Sequence, residues 1–296
     1  MGSARRDRPQ PTPPRGGASA RRTAAGPRRN GGDRGRRRTL SQNFLTDTGL
    51  ARALVRTAGV GPGDLVVEIG AGEGMLTRFL ASACRRLIAY EVDPALAAGL
   101  SRRFAGRGVT VEHADIRTAA PPGDSFAAVG NIPYSITADI VDWCLAARGL
   151  TSATLVTQLE YARKRTGGYG RWSRLTVRTW PDFSWEMGRR IPRDRFHPVP
   201  RVDSAVLLLR RRARPLLPAH LRGAYRRLVD LGFTGTGGSL RASLRTAHAA
   251  HRVDAALAAA GIGRTTVVAF VAPDQWITLA AHLLDTARRP GTRHGG

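Results

Sequence analysis

The chain has 296 residues, with 47 Lys and Arg against 22 Asp and Glu, and a formal net charge of +25. Its only cysteines, Cys84 and Cys144, exclude a disulfide framework and a CxxC metal pair. No signal-peptide pattern opens the chain and no apolar run could span a bilayer, so we expect a cytoplasmic protein without a membrane partner. The excess of positive charge predicts a polyanionic partner, most commonly nucleic acid.

Residues 1–38 are rich in Arg, Gly and Pro, with twelve Arg against two acidic residues, Asp7 and Asp33. Such a segment cannot bury enough apolar surface to offset the entropy lost on ordering, so we predict a disordered basic arm. The arm either raises affinity for nucleic acid through counterion release or is a dispensable tail, and we favour the first role. Residues 289–296 are predicted to be a second, short tail.

Helices and strands alternate from residue 39 onward. Apolar spacing predicts helices over residues 47–59, 75–83, 94–104 and 137–147. Short apolar, β-branched runs predict strands over residues 65–69, 87–90, 109–112, 126–129 and 153–158. This alternation predicts an α/β fold with a parallel, doubly wound sheet, and a late strand at 202–209 is expected to close the sheet edge.

The pattern becomes purely helical after residue 210. Helices are predicted over residues 216–231, 239–248, 253–260 and 274–287. We therefore expect one domain over residues 39–211 and a small α-helical C-terminal domain over residues 212–288.

A glycine-rich turn follows the first predicted strand. Gly70, Gly72 and Gly74 allow a tight turn and a close approach of ligand to backbone. The spacing is GxGxG, not the GxGxxG of dinucleotide sites, and no Walker lysine follows. This favours a ligand that contains an adenosine and a carboxylate but no pyrophosphate.

Two carboxylates follow the next two strands. Glu91 lies where it can accept both hydrogens of a ribose diol, and Asp115 lies where it can meet an adenine amino group. Either residue alone would more often be a helix cap or a solvated loop residue. Three such features at the carboxyl ends of successive strands favour a cofactor pocket.

Asn131, Ile132, Pro133 and Tyr134 follow the fourth strand. An adenine exocyclic amine is a weak nucleophile, and acceptors such as the Asn131 side chain and the Ile132 carbonyl would aim its lone pair at a methyl donor. Pro133 fixes φ, and Tyr134 offers a face on which a base can stack. The alternative is an ordinary turn with a core tyrosine. In-line methyl transfer depends on positioning and requires neither metal nor covalent nucleophile, and we predict no metal site.

The sequence resembles the rRNA adenine N6-dimethyltransferases, which use S-adenosylmethionine and have a Rossmann-like class I methyltransferase sheet. The resemblance rests on residues 41–45, 68–74, 90–93, 131–134 and 196–204. It implies that the cofactor pocket is lined by Asn43, Leu45, Gly70, Glu91, Asp115 and Asn131. It also implies that Phe196 is a second aromatic face around the target adenine, the alternative being a side chain that packs its loop onto the core.

Residues 158–167 and 169–177 resemble the Erm branch, which confers resistance to macrolide, lincosamide and streptogramin B drugs. Leu159 and Ala71 depart from the small-subunit branch. The resemblance implies methylation of a 23S rRNA adenine near the peptidyl-transferase centre, before the 50S subunit is complete, by a monomer. Arg163, Lys164 and Arg165 either grip an RNA phosphate or form a solvated face.

Three alternatives remain open at this point. The first is a 16S rRNA adenine dimethyltransferase of small-subunit biogenesis, and the second is a non-catalytic, RNA-binding ribosome assembly factor. A DNA adenine methyltransferase shares the Asn-x-Pro-Tyr chemistry, but the surrounding segments do not favour it.

Overall fold

A seven-stranded sheet is the framework of the protein in the computed structural model, which describes residues 43–284. The strands, numbered along the chain, are β1 Phe44–Leu45, β2 Leu65–Ile69, β3 Arg86–Glu91, β4 Val109–His113, β5 Phe126–Asn131, β6 Leu150–Gln158, β7 Phe183–Ile191, β8 Phe196–His197 and β9 Ser204–Arg211. The sheet order is β4-β3-β2-β5-β6-β9-β7, and β1 pairs separately with β8. The basic arm at 1–38 and the tail at 289–296 lie outside the described residues.

Five neighbouring strands of the sheet, in the spatial order β4-β3-β2-β5-β6, are mutually parallel, as the alternating pattern predicts. All five residues of β2 are buried, which explains why its sequence is a continuous apolar run apart from Glu68. The predicted strand at 65–69 has the observed bounds, and the other four parallel strands extend one to three residues beyond their predictions. The doubly wound α/β sheet is confirmed.

The late strand does not close the sheet edge, which corrects that prediction. β9 begins at Ser204 and lies between β6 and β7, antiparallel to both. The edge is β7, which the apolar pattern did not reveal because Glu186, Arg189 and Arg190 interrupt it. An edge strand exposes more of its side chains, so its sequence need not be apolar.

Helices pack against both faces of the sheet, most of them before or between its strands in the chain and the last four after them. They are α1 Thr48–Ala58, α2 Thr77–Ala83, α3 Pro94–Arg103, α4 Thr137–Ala146, α5 Leu159–Arg165, α6 Arg174–Thr179, α7 Ala219–Gly232, α8 Leu240–Arg245, α9 Ala250–Ala259 and α10 Pro273–Leu284. Asp47 caps α1 by accepting from Leu50 N at 3.0 Å, and Gly59 ends that helix with φ 65°. None of the helices within residues 43–284 is long and apolar enough to cross a membrane.

The four helices predicted after residue 210 are α7 to α10, which enclose their own apolar cluster around Tyr225 and Trp276. That cluster also includes Val177 of α6, and Tyr225 Oη donates to the Val177 carbonyl at 2.8 Å. The helical C-terminal region is thus confirmed, and it packs directly on the segment that precedes β7. A domain boundary at residues 211 and 212 stays a prediction.

Candidate active site

The predicted site residues meet at the carboxyl edge of the parallel strands. The glycine turn follows β2, Glu91 ends β3, Asp115 follows β4 and Asn131 ends β5. Because these strands run in the same direction, their carboxyl ends form one edge, where sheets of this type bind ligands.

Glu91 is held firmly beside the glycine turn. Its side chain is 2% exposed, Oε2 accepts from Gly72 N at 2.7 Å, and Oε1 accepts from Asp93 N at 2.9 Å. These contacts fix the orientation of the Glu91 carboxylate at the turn. The geometry suits a carboxylate that receives a diol.

Gly72 has φ 57°, and a Cβ atom there would lie 2.9 Å from the Phe44 ring. Gly70 has φ 72°, and a Cβ atom there would lie 3.7 Å from the carbonyl oxygen of Asn131. The turn therefore passes closely between the N-terminal segment and the end of β5. Sequence reasoning assigns Phe44 no role, although it lies between Asn43 and Leu45, which are both predicted to line the cofactor pocket.

Glu68, the last but one residue of β2, is 1% exposed under the same turn. Burial raises the pKa of this carboxyl to about 8, and the nearby Thr77 at the start of α2 partly offsets that rise. Glu91 raises the pKa further and Arg103 lowers it. Glu68 is therefore a neutral acid at the base of the site under mildly acidic conditions.

Asp115 is engaged by Arg117 instead of by another predicted site residue. Its two oxygens accept from Arg117 Nε at 3.0 Å each, Oδ2 accepts from Nη2 at 2.6 Å, and Oδ1 accepts from Arg117 N at 2.9 Å. These contacts lower the pKa of Asp115. The carboxylate remains partly exposed, and an adenine amine would share it with Arg117.

Asn131 is oriented by the N-terminal segment. Its Nδ2 donates to the Asn43 carbonyl at 2.7 Å. Because the amide oxygen and nitrogen diverge from the same planar carbon, the bond from Nδ2 to Asn43 orients Oδ1 as an acceptor for another group. Asn43 thus contributes its backbone carbonyl to the site.

The next three residues fix the turn that follows β5. Ile132 is 2% exposed and packs into the core, so only its carbonyl is available to a ligand. Pro133 has φ −61° and begins the short 3-10 helix Tyr134–Ile136. Tyr134 is partly buried, its Oη lies 2.5 Å from Ser204 Oγ, and burial raises the pKa of the phenol. Sequence reasoning does not assign Ser204 this positioning role. The only signal for Ser204 in the sequence is that it ends the segment 196–204, which carries the family resemblance.

Leu45 and Phe196 form part of the core. They are paired across β1 and β8, and they are 5% and 2% exposed. Both belong to the apolar cluster that contains Val129 and Val206. Phe196 thus packs its loop onto the core, as the alternative expects, and its predicted role as a second aromatic face around the adenine stays a prediction. Leu45 presents only its backbone to a ligand.

The three predicted RNA-binding residues lie in the last turn of α5, and their surroundings differ. Lys164 is exposed and Arg163 is partly exposed. Arg165 turns inward, donating to Ser173 Oγ at 3.1 Å and placing its Cζ 4.8 Å from the centroid of the Tyr161 ring. Arg163 and Lys164 are thus available to an RNA, whereas Arg165 holds the following loop in place. Within residues 43–284 no His, Cys, Asp and Glu side chains are grouped so that three could hold a metal.

Comparison with known proteins shows which family the chain is similar to. A model of the ribosomal RNA adenine dimethylase family matches residues 34–285. An rRNA adenine N-6-methyltransferase of Streptomyces fradiae is 54% identical over 260 residues, covering 87% of this chain and 82% of that protein. The crystal structure of the 23S rRNA methyltransferase ErmE superposes with a TM-score of 0.79 at 51% identity, covering 81% of this chain and 99% of that one.

A small-subunit enzyme is more distant. The ribosomal RNA small subunit methyltransferase A of Kineococcus radiotolerans is 33% identical over 269 residues, covering 87% of this chain and 89% of that protein. The family match extends over most of the chain, including the turn after β2, the end of β5 and the C-terminal helices. The chain therefore belongs to the ribosomal RNA adenine dimethylase family of methyltransferases.

Proposed function

We propose that the chain transfers a methyl group from S-adenosylmethionine to the exocyclic N6 of an adenine in 23S rRNA. The orientation of Asn131 carries this proposal, because the bond from its Nδ2 to Asn43 leaves Oδ1 as an acceptor at the carboxyl edge of the sheet. Resistance to macrolide, lincosamide and streptogramin B drugs is the expected consequence, since added methyls remove amine hydrogens and add bulk.

The residues around the glycine turn fit the cofactor. Glu91, fixed by two backbone amides, would hold the ribose hydroxyls, and Gly72 lets the turn pack against Phe44 where a side chain would collide with that ring. Asp115 would receive the adenine amine. When bound, S-adenosylmethionine supplies a methyl group on a sulfonium that is its own leaving group.

The protein's own contribution is to orient the target amine. Asn131 Oδ1 and the Ile132 carbonyl accept its two hydrogens, which favours a nitrogen lone pair directed toward the donor. Tyr134 stacks on the extruded base and is itself held by Ser204. The released proton leaves to solvent. Positioning accounts for the rate enhancement in such an in-line transfer.

The choice of 23S over 16S rRNA is supported by the 51% identity to the 23S rRNA methyltransferase ErmE, against 33% to the small-subunit enzyme. We infer that the monomeric protein acts on 23S rRNA before the 50S subunit is complete, when the target is in an accessible loop. Unpaired loop bases cost less to extrude than bases in a duplex.

The test is transfer of label from labelled S-adenosylmethionine to protein-free 23S and 16S rRNA. We expect label in 23S rRNA, at an adenine N6 that primer extension locates near the peptidyl-transferase centre. Label confined to 16S rRNA would establish the small-subunit alternative, and label in neither would favour a non-catalytic assembly factor.

Two variants locate the chemistry. Tyr134→Ala should reduce turnover by about fivefold to a hundredfold, on the scale of one base-stacking interaction of about 1–3 kcal/mol, while cofactor affinity stays nearly unchanged. Glu91→Gln should do the opposite: its primary defect should be weaker cofactor binding, and turnover should change less. Equal loss of both properties in Tyr134→Ala would mean that the tyrosine is structural.

A further inference from the structure

Two aromatic side chains are exposed near the junction with the C-terminal helices. Among residues 43–284, eight large apolar side chains are exposed, and only Tyr169 and Phe270 among them are aromatic. They are 49% and 51% exposed. Aromatic rings left half in water are not explained by folding, because each could bury more apolar area in a core.

Each ring lies beside an arginine. Arg163 Cζ is 5.8 Å from the centroid of Tyr169, and Arg171 Cζ is 5.3 Å from the centroid of Phe270. Aromatic rings interleaved with arginines are what proteins use to bind single-stranded nucleic acid, since bases stack on the rings and phosphates pair with the guanidinium groups. An apolar protein partner would not favour this density of positive charge.

The two rings come from segments that touch. Trp172 N donates to the Ala269 carbonyl at 2.7 Å, which joins the loop after α5 to the short 3-10 helix Val268–Phe270. The loop is also tight, because a Cβ atom on Gly167 would lie 2.6 Å from the Trp172 ring. Tyr169 and Phe270 are therefore carried by one preorganised surface at the junction with the C-terminal helices.

Arg163 connects this surface to the candidate active site. It also lines a pocket of about 430 Å³ whose charged residues are four arginines and two carboxylates: Arg163, Arg190, Arg193, Arg201, Glu160 and Asp203. Their charges sum to +2, as four cations less two anions.

One residue of the pocket, Asp203, directly precedes Ser204, which contacts Tyr134. Asp203 accepts from Arg190 Nη2 at 2.5 Å and from Arg193 N at 3.0 Å. The next residue, Ser204, contacts the Tyr134 hydroxyl. The arginine pocket thus includes Asp203, which precedes the contact of Tyr134, and Arg163, which contacts the Tyr169 ring.

We propose that Tyr169 and Phe270 are a stacking platform for unpaired rRNA nucleotides that flank the target adenine, with the connecting phosphates in the arginine pocket. This inference rests on the proposed function and adds a binding site for the neighbouring nucleotides. Unpaired nucleotides are the occupant because the bases of a duplex do not expose their faces to side chains.

The experiment compares binding and methylation of protein-free 23S rRNA by the full chain and by the double variant Tyr169→Ala, Phe270→Ala. We expect the Kd and KM for RNA to rise at least about thirtyfold, because two stacking interactions are lost, with kcat at saturating RNA and cofactor affinity unchanged. The slope of log Kd against log salt should also stay unchanged, because no charge is removed. Arg201→Ala, in contrast, should reduce that slope by about 0.7.

Matched variants separate stacking from packing. Tyr169→Phe with Phe270→Tyr keeps both rings and should bind as the wild type does, whereas Tyr169→Leu with Phe270→Leu keeps apolar bulk and should bind as weakly as the alanine pair. Leu216→Ala removes a side chain that is 40% exposed, that does not line the arginine pocket and whose backbone N donates to the Pro181 carbonyl near the start of β7, so it should have no effect.

Unchanged RNA affinity in both the alanine and the leucine pairs would overturn the inference while leaving the proposed function intact. Failure of the wild type to methylate 23S rRNA would instead overturn the proposed function, so the two failures are distinguishable.

Discussion

Tyr134 and Ser204 show how two distant residues share one task. Their hydroxyls lie 2.5 Å apart, and Ser204 is fully buried. We expect Tyr134→Phe and Ser204→Ala each to lower the free energy of unfolding by about 1 kcal/mol, the typical net value of a hydrogen bond. The double variant should cost little more than either single one, because both remove the same hydrogen bond.

Urea denaturation and turnover at saturating RNA measure this cycle. Ser204→Ala should also reduce turnover, since its hydrogen bond orients the tyrosine ring. Fully additive losses in the double variant would show that the two hydroxyls act independently.

Gly72 is a residue whose type is set by two physical requirements. Its φ of 57° is strained for a residue with a Cβ atom, and that atom would lie 2.9 Å from the Phe44 ring. Gly72→Ala should therefore lower the free energy of unfolding by about 1–3 kcal/mol and weaken cofactor binding.

Gly99→Ala is the matched control for that change. Gly99 lies within α3 and has no heavy atom within 4 Å of an added Cβ, so this substitution should stabilise the protein by about 0.4–1 kcal/mol. Thermal unfolding and titration with S-adenosylmethionine compare the two variants. Equal effects from both alanines would mean that Gly72 is an ordinary turn residue.

Sequence reasoning identified residues better than it identified their surroundings. Motif spacing predicted the positions of Glu91 and Asn131 at strand ends, because strand polarity alone brings such residues to one edge. It could not predict that Phe196 is buried or that Arg165 turns toward Ser173, since both depend on contacts between distant segments. Those contacts leave no periodic signal in the local sequence.

At the scale of elements, buried strands were easier to predict than exposed ones. The core strand β2 was predicted with its observed bounds because all its residues face apolar surroundings. The edge strand β7 and the short pair β1 and β8 were missed because they alternate with polar residues or contain only two residues. Their pairing depends on neighbours that the local sequence does not reveal.

The junction of β2 and α2 gives a pH-dependent prediction. Burial raises the pKa of Glu68 from 4.5 to about 8 in the folded protein, above the value expected in the unfolded chain. The folded state therefore binds the proton more tightly, so the associated stability is fully present below pH 4.5 and is lost as the pH rises through about 8. Glu68→Gln, which cannot ionise, should become more stable relative to the wild type across that interval.

Urea denaturation at about pH 5 and about pH 9, on either side of the Glu68 pKa, tests this expectation. Glu112→Gln, which changes an exposed carboxyl on β4, should differ from the wild type by the same amount at both pH values. A Glu68→Gln difference that does not change with pH would show that the Glu68 carboxyl ionises normally.

For the whole molecule, the distribution of charge matters more than its total. Twelve arginines and two acidic residues give residues 1–38 a net charge of +10, out of +25 for the chain. The remaining +15 belongs to residues 39–296, which include the arginine pocket beside Asp203. Composition predicted a polyanionic partner, but only the structure shows which charged side chains of residues 43–284 form ion pairs and which are exposed.

Deleting residues 1–38 should weaken binding to protein-free 23S rRNA and make it less sensitive to salt. Each phosphate that the protein no longer neutralises lowers the slope of log Kd against log salt by about 0.7 for unpaired RNA, so removing a basic arm that binds several phosphates should change the slope by more than about one. Replacing all twelve arginines with lysine keeps the charge and should largely preserve the slope. If deletion lowers affinity without changing the slope, the segment does not act through its charge; if it changes neither, the segment is a passive tail and the sites described in residues 43–284 account for RNA binding.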